Sequence, residues 1–143
     1  MHLAEFLALM CAGLFAGAAV YINLAEHPAR MGRDTRVALE VWGPSYARAT
    51  RMQAPLALVA LACGAVAWWL GAGVSWLVAG LLIGAVVPFT LAVMMPLNKA
   101  LLTHGRIAST ETRALLTRWG QLHAVRSVLA LAAFALMAWR IGA

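Results

Sequence analysis

The chain of 143 residues is 64% apolar by residue type and only 11% charged, with 11 Lys and Arg against 5 Asp and Glu, a formal net charge of +6. A water-soluble domain is nearer half apolar and a quarter charged, so composition excludes an ordinary soluble module. The basic excess does not point to nucleic acid, because no basic helix and no aromatic-basic interleaving occurs; the partner it implies is the lipid bilayer.

Apolar residues come in blocks. The first runs over about residues 3–24, with Glu5 near its outer end. It is expected to be a retained helix, not a signal peptide, since its start carries no Lys or Arg. Between Ala54 and Leu97 there is no charged residue for 44 positions. One span needs about 20 residues, so this block holds two, over about 54–71 and 75–97. The break falls at Gly71 to Ser75, where two glycines allow a tight turn. A fourth span covers about 119–140 and carries His123 and Arg126. The predicted fold is all-α: a single integral membrane domain over 1–143, a four-transmembrane-helix antiparallel bundle with extended cytoplasmic helix ends.

Nine of the eleven basic residues lie in the two connections that follow spans one and three; the hairpin between spans two and three has none. The positive-inside rule then puts the long connections in the cytoplasm and both termini outside an inner or plasma membrane. In the first connection, Val37, Ala38, Val41 and Trp42 form one face of a short helix, expected to end at Gly43-Pro44 with Trp42 and Tyr46 as interfacial anchors. The second is expected to turn at His104-Gly105, with His104 exposed to solvent. A helix of about 30 residues, roughly 45 Å long, then starts at Ser109 or Thr110 with Glu111 in its first turn.

Smaller signals admit ordinary readings. Cys11 and Cys63 fall inside spans with no paired-cysteine motif, as small apolar side chains do. Gly13-x-x-x-Gly17 and Gly80-x-x-x-Gly84 suit close helix packing, within the chain or in a homo-oligomer. Pro88 and Pro96 interrupt the third span and free carbonyls one turn earlier.

Polar residues gather at the cytoplasmic ends of three spans. The first ends in Asn23, Glu26, His27 and Pro28; the third in Pro96, Asn98 and Lys99; the fourth begins with Trp119, His123 and Arg126, spaced four and three apart on one face. Intramembrane ionisable groups are costly, about 2.5–3.5 kcal/mol for Arg at a span's centre, and normally face the bundle interior. Taken singly, each has a structural reading: Arg126 paired with Glu26, Trp119 an anchor, His27 and Asn98 helix caps. Together they predict a polar cavity near the ends of helices 1, 3 and 4.

The stretch Gly13 to Arg30, then Pro88-Phe-Thr-Leu, Pro96-Leu-Asn-Lys and Trp119-Gly-Gln-Leu-His-Ala-Val-Arg-Ser resemble the anthrone oxygenase-like family of small four-helix membrane proteins. The resemblance covers nearly the whole chain. It implies a site of His27, Asn98, Trp119, His123 and Arg126, and an oxidation of an anthrone-type aromatic to its quinone by molecular oxygen.

Three functions fit these residues. In an oxygenase needing no cofactor, His27 or His123 takes a proton from a small apolar aromatic or quinone-like substrate. Asn98 and Arg126 hold the oxyanion, and Trp119 and Trp42, with Tyr46 and Asn23, contact the substrate. Alternatively, His27, His123 and Glu26 offer the ligand types of an iron site, or the two histidines ligate haem. The third reading is a non-enzymatic lipid- or quinone-binding protein or accessory subunit.

Overall fold

The computed structural model describes residues 2–103 and 107–142. The expected turn at His104-Gly105 and the exposure of His104 lie outside the described residues. Four helices make up the described chain: α1 (Leu3–Met31), α2 (Thr35–Ala72), α3 (Val74–Thr103) and α4 (Thr110–Gly142). Each is long and apolar enough to cross a membrane, and no strand occurs among the described residues. Each helix packs mainly on its neighbours in the order α1, α2, α3, α4, and α4 closes the ring on α1. This is an up-and-down membrane bundle.

Local chemistry sets the boundaries. Asp34 caps α2 by accepting from the Val37 amide at 2.9 Å, and Ser109 caps α4 by accepting from the Thr112 amide at 3.1 Å; a cap of this kind is worth about 1 kcal/mol. Gly71 (φ 86°) and Gly73 (φ 106°) take left-handed conformations that make the α2–α3 turn, as the sequence predicts. The last turn of α1 is held by Arg113 of α4, whose guanidinium donates to the carbonyls of Met31 and Arg33. Orphan carbonyls at a helix end are satisfied this way.

The expected stop at Gly43-Pro44 does not occur: α2 runs through Pro44 and Pro55 without a break. Trp42 and Tyr46, one turn apart on either side of Pro44, stack with ring centroids 5.1 Å apart and planes at 6°, a contact of the i, i+4 kind that supports the helix there. Trp42 is therefore no interfacial anchor; it is 1% exposed, at the centre of the inner half of the bundle. With 38 residues, α2 is about 57 Å long at 1.5 Å per residue, nearly twice the roughly 30 Å of a hydrocarbon core.

Two helices contain π turns beside a proline. In α1 the widened turn is Ile22–Glu26, with the His27 amide donating to Ile22 just before Pro28. In α3 it is Thr90–Met94, with the Met95 amide donating to Thr90 just before Pro96. An extra residue in the turn makes room for the proline ring and re-aims the side chains beyond it. Neither helix ends there, so His27 and Asn98 cap nothing.

The interior has two halves. The outer half, the end that bears the α2–α3 turn, is built from small residues, among them Ala8, Ala12, Ala16 and Ala19 of α1, Ala57, Ala60 and Ala67 of α2, and Ala130 and Ala133 of α4. Gly64 of α2 and Gly80 of α3 meet so closely that a Cβ on Gly64 would lie 2.8 Å from the Trp76 carbonyl oxygen. The Gly80-x-x-x-Gly84 signal thus serves packing within the chain, where van der Waals fit and not water exclusion drives helix association. Large apolar side chains such as Leu24, Trp69 and Val128 point outward, as lipid contact requires. The inner half is aromatic and polar.

Candidate functional site

The inner half is organised by hydrogen bonds whose directions are forced. The Gly120 carbonyl can only accept, so the Asn23 amide nitrogen faces it, at 3.0 Å. The Asn23 oxygen then faces α4 and accepts from Ser127 Oγ at 2.6 Å and from His123 Nδ1 at 2.8 Å. His123 must therefore carry its proton on Nδ1, which leaves Nε2 as the basic nitrogen. The opposite tautomer is fixed at His27: its Nε2 donates to the Leu116 carbonyl at 3.0 Å, and its Nδ1 lone pair is buried without a partner among the described residues.

A second chain of bonds crosses to α2. Trp119 Nε1 can only donate, and it donates to Asn98 Oδ1 at 3.0 Å. The Asn98 nitrogen then donates to the Tyr46 hydroxyl at 3.3 Å. Tyr46 accepts in that bond, so its own proton remains free to donate elsewhere.

Trp119 is the hub. His123 stacks on it at 4.9 Å and 29°, His27 lies against it at 5.1 Å and 49°, and Trp42 meets it edge-on at 5.9 Å. The Arg30 guanidinium adds a cation–π contact at 5.8 Å. His27, His123, Trp119, Trp42, Asn23 and Asn98 thus belong to one cluster, drawn from all four helices. The expectation that Trp119 and Trp42 stack on a substrate meets a steric fact: their neighbours already cover the Trp119 indole, and Tyr46 covers Trp42.

Glu26 does not pair with Arg126. Arg30 and Ser45 both donate to the Glu26 carboxylate, while Arg126 donates to Gln53 Oε1 at 2.9 Å and lies 5.5 Å from the Phe15 ring. In a regular helix, residue 26 would follow Ile22 toward the interior; the extra residue of the π turn gives that place to His27 instead. Among the described residues no three His, Cys, Asp or Glu side chains gather as metal ligands. Glu26, the carboxylate of the two-histidine iron alternative, is engaged by Arg30 and Ser45, so that ligand set is not assembled.

Arg126 faces an open space instead. A cavity of about 130 Å³ lies between the helices, lined by Phe15, Tyr46, Ala57, Val86, Thr90 and Arg126, with Thr50, Ala54 and Leu91 among the rest of its wall. Among the described residues no carboxylate neutralises Arg126, and its Nε is buried without a hydrogen-bond partner. The cavity's polar lining is rich in donors: Arg126, the free proton of Tyr46, and Thr50. Neither histidine lines it; His27 and Asn23 instead border a shallow groove on the α1–α4 face.

Five contributors were not legible as site residues: Arg30, Ser45, Gln53, Gly120 and Ser127. The signal for Ser127 was its place one turn after His123; Gly120 carried none, because its role is to be absent as a side chain.

No solved structure matches the chain. Over 65 residues it is 45% identical to the anthrone oxygenase tpcL of Aspergillus fumigatus, a match that covers 43% of this chain and 40% of the relative. The matching segment thus spans under half of that curated protein's length. Residues 42–136, which include Trp42, Tyr46, Asn98, Trp119, His123 and Arg126, match the anthrone oxygenase family. The chain belongs to the anthrone oxygenase family.

Proposed function

We propose that this protein is a membrane-embedded oxygenase that converts a small acidic aromatic methylene compound to the corresponding quinone-type ketone. The observation that carries the reading is Arg126: an un-neutralised guanidinium that lines a mostly apolar cavity one turn from a histidine of fixed tautomer. His123 Nε2 lies one turn from Arg126 but behind the cavity wall, so it takes the proton of the substrate's acidic carbon through one intervening water, and the electron pair delocalises onto the ring oxygen. Arg126 and the Tyr46 hydroxyl hold that oxyanion, and such donors act most strongly where water is excluded. The anion reduces dioxygen at the same carbon to give a hydroperoxide. Loss of the second carbon-bound proton with cleavage of the O–O bond leaves the carbonyl and water, so that R2CH2 and O2 become R2CO and H2O. Asn23 and Ser127 hold the His123 ring, while Asn98 orients Tyr46. In this scheme His27 positions α1 against α4 and transfers no proton, and Asn98 acts through Tyr46.

The test is oxygen uptake by purified protein in lipid nanodiscs on a panel of anthrones, with product followed by absorbance. The expected result is uptake matched one-to-one by product, lost in Arg126→Gln. Absence of turnover across the panel by a protein that stays folded, or turnover undiminished in Arg126→Gln, overturns the reading. The outcome without turnover favours the non-enzymatic ligand-binding alternative.

A further inference from the structure

The wall of the Arg126 cavity is not closed on the lipid side. Thr50 and Ala54 of α2 and Leu91 of α3 are exposed, and all three also line the cavity. Near the turn, α2 and α3 are locked together at Gly64 and Gly80. Further along, the α3 segments beyond Gly84 make few contacts with α2. The two helices therefore diverge where the cavity sits. Leu91 and Ala54 belong to the uncharged block from Ala54 to Leu97, so that side of the mouth faces acyl chains, while Thr50, next to Arg51, forms its polar end.

The size of the space limits what enters. An apolar cavity of about 150 Å³ accepts a benzene ring, so the 130 Å³ here encloses one ring, and the rest of a larger aromatic stays in the opening. The chemistry limits it further. Arg126 and Tyr46 supply donors and a positive charge, and a charge left unpaired at membrane depth is costly unless a ligand compensates it.

We infer that the ligand comes sideways from the bilayer: one phenolic or quinoid ring seats its oxygen on Arg126 and Tyr46, and its apolar remainder trails out between α2 and α3 into lipid. This deepens the proposed function and rests on the same cavity. The substrate class is a lipid-dissolved aromatic with one ring oxygen inside and a hydrophobic extension outside.

The experiment measures equilibrium binding of radiolabelled decyl hydroquinone to the protein in phosphatidylcholine nanodiscs under argon, where no oxygen chemistry runs. A hydroquinone sulfonate, which stays in water, is the comparison probe. Leu91→Trp narrows the mouth at an exposed position, and Val128→Trp adds the same bulk at an exposed position on α4. We expect saturable binding of the decyl probe above that of empty discs. It should weaken about tenfold or more in Leu91→Trp, the scale of a pocket misfit, stay unchanged in Val128→Trp and disappear in Arg126→Gln. Equal binding of the sulfonate, or binding indifferent to Leu91→Trp, overturns the lateral route; no saturable binding to wild type overturns the ligand site itself. The two readings fail separately. Oxygen uptake on a water-soluble ring at wild-type rate in Leu91→Trp sinks this inference and leaves the oxygenase standing. Tight binding of the decyl probe, lost in Leu91→Trp, with no oxygen uptake on any anthrone in air, does the reverse.

Discussion

The ring of His27 occupies the place where residue 120 would carry a methyl group: a Cβ built on Gly120 would lie 2.6 Å from His27 Cδ2 and 2.7 Å from Nε2. Glycine at 120 is thus a condition for the His27–Leu116 bond and for the contact of α1 with α4. Gly120→Ala must push the imidazole away, and overpacking of this kind costs about 1–3 kcal/mol. Thermal unfolding in detergent should show Gly120→Ala well below wild type, and Gly17→Ala, which meets nothing within 4 Å, at or above it. Equal melting temperatures for the two variants would contradict the contact.

The two histidines should respond differently. His123→Ala removes the proposed base and should lower turnover by about 10²–10⁴-fold, while an interhelical hydrogen bond in a membrane is worth about 1 kcal/mol. His27→Ala should mainly lower the melting temperature. Paired measurements of rate and stability decide between the roles, and the assignment reverses if His27→Ala loses more turnover than His123→Ala.

Arg30 and Arg126 should separate in the same way. Arg30→Ala leaves the Glu26 carboxylate with Ser45 alone and should destabilise by about 2 kcal/mol, less than the 3–5 kcal/mol of a fully buried pair because Glu26 is partly exposed. Arg126→Gln removes a charge that has no carboxylate partner among the described residues. It should leave stability unchanged or raise it while turnover is lost. A large drop in the stability of Arg126→Gln would show that the guanidinium fastens helices and does not serve a ligand.

Topology is testable without a substrate. The charge asymmetry of the connections predicts that tags at both termini react with an impermeant label from outside, while a cysteine near Arg33 reacts only after the membrane is opened. Termini shielded in intact cells would reverse the orientation.

Helix number and the α2–α3 turn were readable because the uncharged block is too long for one span and its only Gly-x-Gly, Gly71-Ala72-Gly73, lies near the middle. The cluster of His27, Asn98, Trp119 and His123 was readable for a similar reason: polar side chains at one membrane depth have few places to go but inward. Partners were harder. The Glu26–Arg126 pairing rested on charge and depth, and regular helical spacing hides a π turn. Trp42 went to the interface because Gly43-Pro44 looks like a stop; the stack with Tyr46 that carries α2 across the proline is a tertiary fact as much as a local one. Gly120 and Gln53 have no charge or motif to announce them, and the cavity is a property of divergence between helices that no single segment encodes.

The π turns make the protein sensitive to residue count as well as residue type. Each extra residue advances the helix by about 100°, so the outer alanine stripe of α1 and the His27 surface face the same interior only because that advance is present. Deleting Leu24, an exposed residue, would let the helix close into a regular ladder and swing one half of its inward surface toward lipid. Substitution at Leu24 leaves the phase intact. The position accepts other apolar side chains and is intolerant of loss, so gaps in α1 or α3 of related chains would have to fall outside Ile22–Glu26 and Thr90–Met94 or be compensated nearby.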